Sequence, residues 1–227
     1  MAAACVAGAA CKTAGTAPPN AGGTQIIQPG APGQASKPVT VAQATDLSRV
    51  QFTAADVKFM QGMISHHLQA IDMVALLKKN TQWDDMKKLG MRMEMSQDDE
   101  IKMMQSWLRA RGQEVPGPHA HHTPGGMMPG MLSDEEMARL GTAKGNAFDK
   151  LFLEGMIKHH SGAIIMVEQL FATAGAAQDG DIFAFASDVV SDQRMEMERM
   201  SDMLNTVKSK VSGDGSRESG VGDGRGR

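Results

Sequence analysis

Two stretches of the chain, FMQGMISHHLQAIDM at residues 59–73 and FLEGMIKHHSGAIIM at residues 152–166, decide its fold. They agree at Phe, Gly, Met, Ile, both histidines, Ala and the final Met, and they lie ninety-three residues apart. Each places a methionine three residues before a pair of histidines. A motif of this length that recurs indicates an internal duplication of the folded part of the chain.

A second, weaker match follows each motif at nearly the same distance. SQDDEIKMMQSWL, from Ser96, aligns with DQRMEMERMSDML, from Asp192, when Gln97 is placed on Gln193. The matched positions that follow are Glu100 with Glu196, Ile101 with Met197, Met104 with Met200, and Leu108 with Leu204. Each half is therefore an αα-hairpin that cannot bury its apolar stripe alone. Two such hairpins predict an all-α four-helix bundle with approximate twofold symmetry.

Capping signals set the limits of the predicted helices. The TAAD sequence at Thr53 offers an N-cap with an acid three residues later, and Ser133 with Glu136 offers a second capping box. We predict long helices from Thr53 to about Lys79, from near Trp83 to before Gly112, from about Ala147 to Ala174, and from about Asp181 to Lys210. A short helix opens at Ser133 and pauses near Gly141, and no segment shows sustained strand alternation.

The composition changes along the chain and predicts one folded domain between two tails. Residues 13–44 are rich in Pro, Gly, Ala, Thr and Gln, which predicts a flexible tether within a disordered leader over residues 1–45. The duplicated bundle spans residues 46–210, with repeat one at 46–112, a His- and Met-rich loop at 113–132, and repeat two at 133–210. Residues 211–227 are predicted to form a disordered, solvated tail.

The composition also excludes some functions. The net charge of −3 and the pI near 6.2 provide no basic surface on which nucleic acid would condense. The only cysteines, Cys5 and Cys11, lack zinc-knuckle spacing. The weakly apolar start of the chain is too short to span a membrane. It fits either a signal-peptide remnant with lipid attached at Cys11 or Cys5, or a disordered leader, so a periplasmic or cell-envelope location is a hypothesis.

A helical wheel places the histidine pairs on the apolar faces of the first and third long helices. In the first helix Met63 lies between His66 and His67 on that face, and the third helix repeats the arrangement around Met156. The rings are therefore expected to point towards the interior of the bundle or its margins. The predicted metal ligands are Met63, His66, His67, Met73, Met156, His159, His160 and Met166.

The ligand types favour a soft metal. Ferritin-like bundles hold paired hard metals with Glu-x-x-His motifs, whereas the motifs here are Met63-x-x-His66 and Met156-x-x-His159. A thioether in place of a carboxylate favours Cu(I), and by the same softness Ag(I), over iron or manganese. Because neutral imidazole binds the metal and its ordinary pKa is about 6.5, we expect binding to weaken as the pH falls.

Other His, Met and Glu residues allow two interpretations. Candidate secondary ligands are Met104, Met200, Glu100, Glu196, His119, His121, His122, Met127, Met128 and Met131. Further thioethers lie on the second and fourth long helices at Met91, Met93, Met95, Met103, Met195 and Met203. A His- and Met-rich loop can capture or hand over a soft cation, but helical methionines also serve as core packing. For Glu100 and Glu196 we expect hydrogen bonds to histidine, which satisfy a carboxylate near the core.

The stretch FLEGMIKHHSGAIIM, the segment GMLSDEEMARL before it and the paired hairpins resemble the family called domain of unknown function 305. The resemblance extends over residues 47–204, and the duplicated Met-x-x-His-His motif is its most specific part. It implies a ferritin-like helical fold and an exported protein. Some members of that family are periplasmic copper-binding proteins linked to copper tolerance. The resemblance therefore implies that the eight predicted ligands are the functional residues.

The expected function is Cu(I) binding for copper sequestration, handover or tolerance, with no catalytic turnover and no organic cofactor. The expected partners are the metal ion, a copper transporter or acceptor protein, and a second copy of the chain as a homodimer. One alternative is a metal-dependent oxidoreductase of the ferritin-like type. The other is a structural or interaction module without metal, whose histidines hydrogen-bond to Gln97, Glu100, Gln193 and Glu196.

Overall fold

A computed structural model of the chain describes residues 26–28, 35–44, 52–117 and 127–214. The chain forms two units, residues 1–49 and residues 50–227, and each is described by itself. Of the helices in the described part of the chain, none is long and apolar enough to cross a membrane.

The first unit contains a small antiparallel sheet. Strand β1 (Ile26–Gln28) pairs with strand β2 (Lys37–Val39), and one helical turn, α1 (Val41–Ala44), follows. Residues 26–28 and 37–39 of the predicted tether pair as short strands, because the β-branched side chains of Ile26, Ile27 and Val39 favour extended pairing. The predicted leader over residues 1–25, including Cys5 and Cys11, lies outside the described residues.

The second unit begins with the hairpin of helices α2 (Ala54–Asn80) and α3 (Asp84–Ala110). The predicted capping box at the start of α2 is confirmed. The Thr53 hydroxyl accepts a hydrogen bond from the backbone N–H of Asp56, and the Asp56 carboxylate accepts one from the backbone N–H of Thr53 at 2.7 Å. Asp56 is buried and also accepts from the backbone N–H of Ala177 at 2.7 Å. One carboxylate therefore caps α2 and ties it to the second repeat.

The second repeat contains α4 (Asp134–Thr142), α5 (Gly145–Ala172) and α6 (Gly180–Asp214). The capping box formed by Ser133 and Glu136 is present as predicted. Both α5 and α6 begin slightly earlier than predicted, and α6 continues beyond residue 210, because hydrophobic periodicity does not mark the first and last turns of a helix. The all-α fold is confirmed for this unit. The predicted tail from residue 215 lies outside the described residues.

Helices α2 and α5 form the central pair of the bundle. Helix α3 packs along α2, α6 packs along α5, and α2 packs against α5, which brings the two repeated motifs together. Within the described residues, α3 and α6 contact each other only sparsely. Arg111 at the end of α3 bonds Asp179 at 2.6 Å and Asp181 at 3.4 Å, at the start of α6. An open groove of about 830 Å³ lies between these two helices.

The buried apolar side chains form two clusters. Cluster one joins the N-terminal half of α2 to the C-terminal half of α5 and includes Met63 and Met166. Cluster two joins the C-terminal half of α2 to the N-terminal half of α5 and includes Met73 and Met156. Helices α2 and α5 are therefore antiparallel. The histidine pairs fall between the clusters along both helices, at the middle of the bundle.

Residues 129–132 of the connection between the repeats pack across the α2–α5 pair. Gln69 of α2 holds this segment by donating to the Leu132 carbonyl at 2.9 Å and accepting from the Leu132 N–H at 2.8 Å. The matching position on α5 is Gly162, where a Cβ would lie 1.9 Å from the Pro129 carbonyl oxygen. Only glycine permits so close an approach of two backbones. The two repeats differ here because a single segment contacts both of them.

Candidate metal centre

Four histidines form a buried layer between the two clusters, here called the histidine layer. His66 and His67 on α2, and His159 and His160 on α5, are each at most 1% exposed. Adjacent residues of an α-helix are separated by about 100° around its axis. One ring of each pair therefore lies at the α2–α5 interface, and the other lies towards the flanking helix, α3 or α6. We call His66 and His159 the inner rings, and His67 and His160 the outer rings.

The inner rings are in direct contact across the two repeats. The ring centroids of His66 and His159 lie 3.8 Å apart, with planes inclined by 38°. Each outer ring lies farther from its sequence neighbour: 6.4 Å separates the centroids of His67 and His66, and 6.2 Å those of His160 and His159. The near equality of these two distances shows that both repeats fold alike at this layer.

The Nε2 atoms of the inner rings donate to backbone carbonyls. His66 Nε2 lies 3.0 Å from the carbonyl oxygen of Pro129, and His159 Nε2 lies 3.0 Å from the carbonyl oxygen of His66. A carbonyl oxygen can only accept a hydrogen bond. In the neutral form of each inner ring the proton is therefore on Nε2.

The Nε2 atoms of the outer rings donate to carboxylates on the flanking helices. His67 Nε2 lies 2.6 Å from Glu100 of α3, and His160 Nε2 lies 2.6 Å from Glu196 of α6. The hydrogen bonds predicted for these two glutamates are therefore present. Burial acts to raise the pKa of Glu100, but the hydrogen bond and charge of His67 act in the opposite direction, and the net shift of its pKa is downward.

None of the four Nδ1 atoms has a hydrogen-bond partner among the described residues, and all four are buried. In the neutral form of each ring, with its proton on Nε2, Nδ1 presents a lone pair. A buried polar atom without a partner costs free energy, and such atoms are uncommon in folded proteins. A neutral imidazole nitrogen with a free lone pair is the atom through which a histidine binds a metal ion.

Burial lowers the pKa of both inner rings. The pKa of His66 is lowered to about 3, first by burial and then by the charge of the neighbouring His67. The pKa of His159 is also well below its ordinary value, first because of burial and then because of His66. Both rings are therefore neutral near pH 6.5, where a free histidine is about half protonated. If these two rings bind the metal as predicted, the pH at which protonation weakens their binding is lower than for a free histidine.

The predicted methionine ligands lie on both sides of the histidine layer. Met63 and Met166 belong to cluster one, whereas Met73 and Met156 belong to cluster two. Three of the four are fully buried, and Met166 is 9% exposed. The antiparallel packing of α2 and α5 thus combines, on each side, the methionine that precedes one histidine pair with the methionine that follows the other.

Two glycines of the repeated motif leave room for a methionine of the other repeat. A Cβ at Gly62 would lie 3.4 Å from the methyl carbon of Met166 and 3.4 Å from the sulfur of Met128. At the equivalent position, a Cβ at Gly155 would lie 3.4 Å from the methyl carbon of Met73 and 3.2 Å from Leu132. Each side therefore has a helical methionine. The segment between the repeats adds the Met128 sulfur beside Gly62 and the Leu132 side chain beside Gly155.

The secondary candidates differ in burial. Met104, Met131 and Met200 are buried, Glu100, Glu196 and Met128 are partly buried, and Met127 is 61% exposed. Of the further helical methionines, Met93 is buried, Met103 and Met203 are partly buried, and Met91, Met95 and Met195 are exposed. The three loop histidines, His119, His121 and His122, lie outside the described residues. The exposed helical methionines are therefore suitable controls for the buried ones.

Among the described residues, no three His, Cys, Asp or Glu side chains converge so as to hold a metal ion. This part of the chain thus contains no ligand set for a carboxylate-rich metal pair of the ferritin type. An ion in the layer would draw on ring nitrogens together with thioether sulfurs. Gln97 and Gln193 are also buried, but the outer rings bond the glutamates, and Gln97 Oε1 has no partner within the described ranges.

The sequence did not predict the contact between His66 and the Pro129 carbonyl, or the anchoring of Leu132 by Gln69. One signal was present in the repeat itself. Gln69 and Gly162 occupy equivalent positions in two otherwise similar motifs but differ completely in side chain. Such a mismatch within a duplicated core face marks a position where one unrepeated segment contacts both copies.

Comparison with known proteins gives a family and several solved structures. The family described as domain of unknown function (DUF305) matches residues 56–204. A crystal structure of a DUF305 protein from Streptomyces coelicolor, assigned as secreted, is similar to this chain with 28% identity and a TM-score of 0.60. That match covers 68% of this chain and 94% of the other. No curated protein sequence matches the chain significantly.

Structures of CopM are similar over a comparable length. The Cu(II)-bound form is 28% identical, with 66% of this chain and 96% of that chain covered and a TM-score of 0.55. The Cu(I)-bound form is 26% identical, with 69% and 98% covered and a TM-score of 0.53. CopM has also been crystallised in an Ag-bound form. CopM thus binds copper in two oxidation states, and silver.

Proposed function

The chain belongs to the DUF305 family, and from that premise we propose that it binds Cu(I), and Ag(I) by the same ligand chemistry, in the histidine layer. CopM, a protein of similar fold, is known in Cu(I)-, Cu(II)- and Ag-bound forms. Thioether and imidazole are the ligands that favour these soft ions. The binding serves copper sequestration, handover or tolerance, without turnover of a substrate.

The observation that carries this proposal is that one nitrogen of each ring is hydrogen-bonded and the other is not. All four Nε2 atoms face a backbone carbonyl or a carboxylate, and all four Nδ1 atoms lack a partner among the described residues. Histidines that bind metals commonly donate their other N–H to a carbonyl or carboxylate, which fixes the tautomer and raises the basicity of the ligand. The layer shows this arrangement four times.

The proposed ligands are the ring nitrogens of His66, His67, His159 and His160 together with the sulfurs of Met63, Met73, Met156 and Met166. The inner rings come from different repeats and touch each other. An ion bound to either inner ring would therefore lie beside ligands of both repeats. Glu100 and Glu196 act on the outer rings through Nε2, as orienting groups.

The proposal extends to location and partners. The related Streptomyces coelicolor protein is assigned as secreted, which supports an exported protein of the periplasm or cell envelope. An exported copper protein would receive or deliver its ion through a copper transporter or acceptor protein. Lipid attachment at Cys11 or Cys5, and a homodimer, stay predictions.

Anaerobic Cu(I) titration against a competing chelator tests the proposal. The wild-type chain is compared with a variant in which His66, His67, His159 and His160 are all changed to Ala. We expect the wild type to compete with the chelator and the variant to lose at least about a hundredfold in affinity. Circular dichroism and thermal unfolding check that the variant is folded. Equal, weak binding by two folded proteins would contradict the proposal.

A milder variant keeps all four rings. In Glu100→Gln/Glu196→Gln the outer rings lose their carboxylate partners, while the Nδ1 atoms and the buried shape are retained. We expect a tenfold to hundredfold loss of Cu(I) affinity, the usual range when the partner of a metal-binding histidine is removed (about 10–100-fold). An unchanged affinity would show that the outer rings do not bind the ion.

One observation favours a second candidate, a structural module without metal. Each ring already has one hydrogen bond, so the histidines could serve packing alone. The two functions predict different effects of the metal ion on stability, because a ligand that binds only the folded state raises the stability of that state. A thermal midpoint that rises with Ag(I) or Cu(I) in the wild type, but not in the four-histidine variant, supports metal binding. A midpoint unaffected by either ion supports the structural module.

A further inference from the structure

The groove between α3 and α6 has an apolar floor. Met103, Trp107 and Ala110 line it from α3, and Ala184, Phe185 and Val189 line it from α6. Met103, Trp107 and Ala110 are spaced about one helical turn apart, as are Phe185 and Val189, and Ala184 lies beside Phe185. The lining on α3 extends from Ser96 to Arg111, about 22 Å at 1.5 Å per residue. The bundle thus leaves one interhelical seam open, with a lining about four turns long on α3, of which the apolar floor takes about two turns.

Carboxylates line the rim of this groove. The acidic lining residues are Asp99, Glu100, Asp181, Asp188 and Asp192. Arg111 is the one cation among the lining residues, and it is paired with Asp179 and Asp181. Burial, together with the charges of Glu100, Asp188 and Glu196, raises the pKa of Asp192. The negative charges are therefore close enough to repel one another, and a positively charged occupant would relieve that repulsion.

Trp107 forms the buried part of the groove floor. It is 4% exposed, lines the groove, and its indole N–H has no hydrogen-bond partner among the described residues. The Arg111 guanidinium lies 4.2 Å from its ring centroid, and Phe52 contacts it edge-on at 5.4 Å. An indole N–H can only donate, and leaving it unpaired in a buried position costs free energy. Because the indole nitrogen is itself enclosed, an occupant of the groove would contact the ring and not this N–H.

We propose that this groove binds a cationic amphipathic helix of a partner protein. An apolar helix face laid in a groove between two helices is a common mode of peptide recognition. Leucine-like side chains of the partner would contact Trp107 and Phe185, and flanking Lys or Arg would face Asp188 and Asp192. A helix of about 14 residues, or 21 Å, matches the length of the lining on α3. The proposal does not depend on metal binding.

Two other occupants fit the observations less well. A second copy of the chain placed groove to groove would bring like charges together, which opposes association. A metal cation would need three converging ligands, and no such group of His, Cys, Asp or Glu exists among the described residues. The combination of apolar floor and acidic rim matches a basic helix.

A synthetic peptide tests the groove directly. The probe is a fluorescein-labelled 14-residue helix of Leu and Lys, with Leu at positions i, i+3, i+4 and i+7, titrated with the full chain in about 150 mM salt. The control peptide has Glu in place of Lys. The rim variant is Asp188→Asn/Asp192→Asn, and the matched control on the same helix is Glu198→Gln/Asp202→Asn. All four residues are exposed, and only the first two line the groove.

We expect the Leu/Lys peptide to bind with a micromolar Kd, and the rim variant to weaken it about tenfold through loss of two charge pairs. Ala184→Lys, at an exposed position in the groove, is expected to weaken it at least as much. The matched control should stay within about twofold of the wild type. Binding of the Leu/Glu peptide with equal affinity, equal loss in both double variants, or no binding would overturn the proposal. A dimer that sedimentation detects and Ala184→Lys abolishes would also overturn it, because the occupant would then be a second copy.

Discussion

At the scale of single residues, the two nitrogens of each ring in the histidine layer have different surroundings. A histidine that serves only packing gains most when both nitrogens are satisfied, because an unpaired buried nitrogen costs free energy. The layer instead satisfies Nε2 and leaves Nδ1 without a partner in all four rings, judged over the described residues. All four rings, in two repeats, share this arrangement, and imperfect packing would not leave the same nitrogen unpaired each time. It is consistent with selection for the Nδ1 lone pair.

A first prediction at this scale tests the proposed methionine ligands. Met63→Leu/Met156→Leu removes the two sulfurs that precede the histidine pairs and nearly conserves volume. We expect the stability cost to stay below about 1.5 kcal/mol per site, the usual limit for such an exchange. Cu(I) affinity should fall at least about tenfold, because the alkyl side chain cannot bind the ion. Chelator competition measures the affinity, and urea unfolding measures the stability.

The control for this variant is Met91→Leu/Met95→Leu, which removes two exposed sulfurs of α3. We expect it to leave the Cu(I) affinity of the folded chain unchanged. If both double variants lose affinity equally, binding is distributed over the methionines of the chain. If neither loses affinity, the histidines bind the ion without Met63 and Met156.

A second prediction at this scale concerns the close approach at Gly162. In Gly162→Ala the new Cβ would overlap the Pro129 carbonyl and Gly130, at 1.9 and 2.6 Å, and these are backbone atoms that cannot turn aside. We expect a loss of about 2–4 kcal/mol in the free energy of unfolding, typical of overpacking at a rigid contact. The His66–Pro129 hydrogen bond would be lost with it.

Gly62→Ala is the matched control, since Gly62 is also a helical glycine of the repeated motif. Its Cβ would meet only the flexible ends of Met128 and Met166, both at 3.4 Å. Alanine is a better helix former than glycine by about 1 kcal/mol. Urea unfolding should therefore show Gly62→Ala at or slightly above wild-type stability. A similar loss in both variants would indicate that the Pro129 contact is not the cause.

At the scale of elements, a single unrepeated segment stabilises two repeated helices. The histidine layer depends on this segment, because His66 donates to its Pro129 carbonyl. Gln69 positions the next residues through both polar atoms of its side chain. The α2–α5 pair, the segment and the histidine layer therefore form one structural element in which a change in any part affects the rings.

The anchoring by Gln69 makes a quantitative prediction. In Gln69→Ala two buried hydrogen bonds are lost, and the N–H and C=O of Leu132 are left without partners. We expect the free energy of unfolding to fall by about 2–3 kcal/mol, since burying unpaired groups costs more than the bonds contribute. Gln61→Ala, which removes a bond to the Glu114 carbonyl in an exposed position, should cost less than about 0.5 kcal/mol. Equal effects in the two variants would contradict a special role for Gln69.

The elements of this fold were largely predictable, and the reasons are local. The capping boxes at Thr53 and Ser133 and the hydrophobic periodicity of the helices depend on residues within a few turns. Contacts between distant segments were not predictable, because a helical wheel gives a face and not the partner of that face. The Pro129 contact of His66 and the open seam between α3 and α6 both belong to this class. Hydrogen bonds from histidines to Glu100 and Glu196 were predictable, because the two glutamates occupy the same position in the two repeats, on helices expected to pack against the histidine pairs.

At the scale of the whole molecule, the candidate centre exists only when both hairpins are packed together. Cluster one and cluster two each combine residues of α2 and α5, and the inner rings of the two repeats touch between them. A single hairpin would expose its two histidines and its methionine stripe to water. Folding and assembly of the layer are therefore coupled, so a ligand of the layer stabilises the entire bundle.

The burial of the inner rings predicts how the stability of the metal-free bundle depends on pH. Burial lowers the pKa of His66 to about 3 and that of His159 in the same direction, whereas the unfolded chain binds these protons near pH 6.5. Between those values the unfolded state binds more protons, so stability is retained above pH 6.5 and lost as the pH falls. From pH 7 to pH 5 each ring is expected to remove up to about 2 kcal/mol of unfolding free energy.

Urea unfolding at both pH values should show this loss in the wild type. It should be reduced by about half in His66→Gln and nearly absent in His66→Gln/His159→Gln. An equal loss in all three proteins would mean that other groups, and not the buried rings, cause the acid sensitivity.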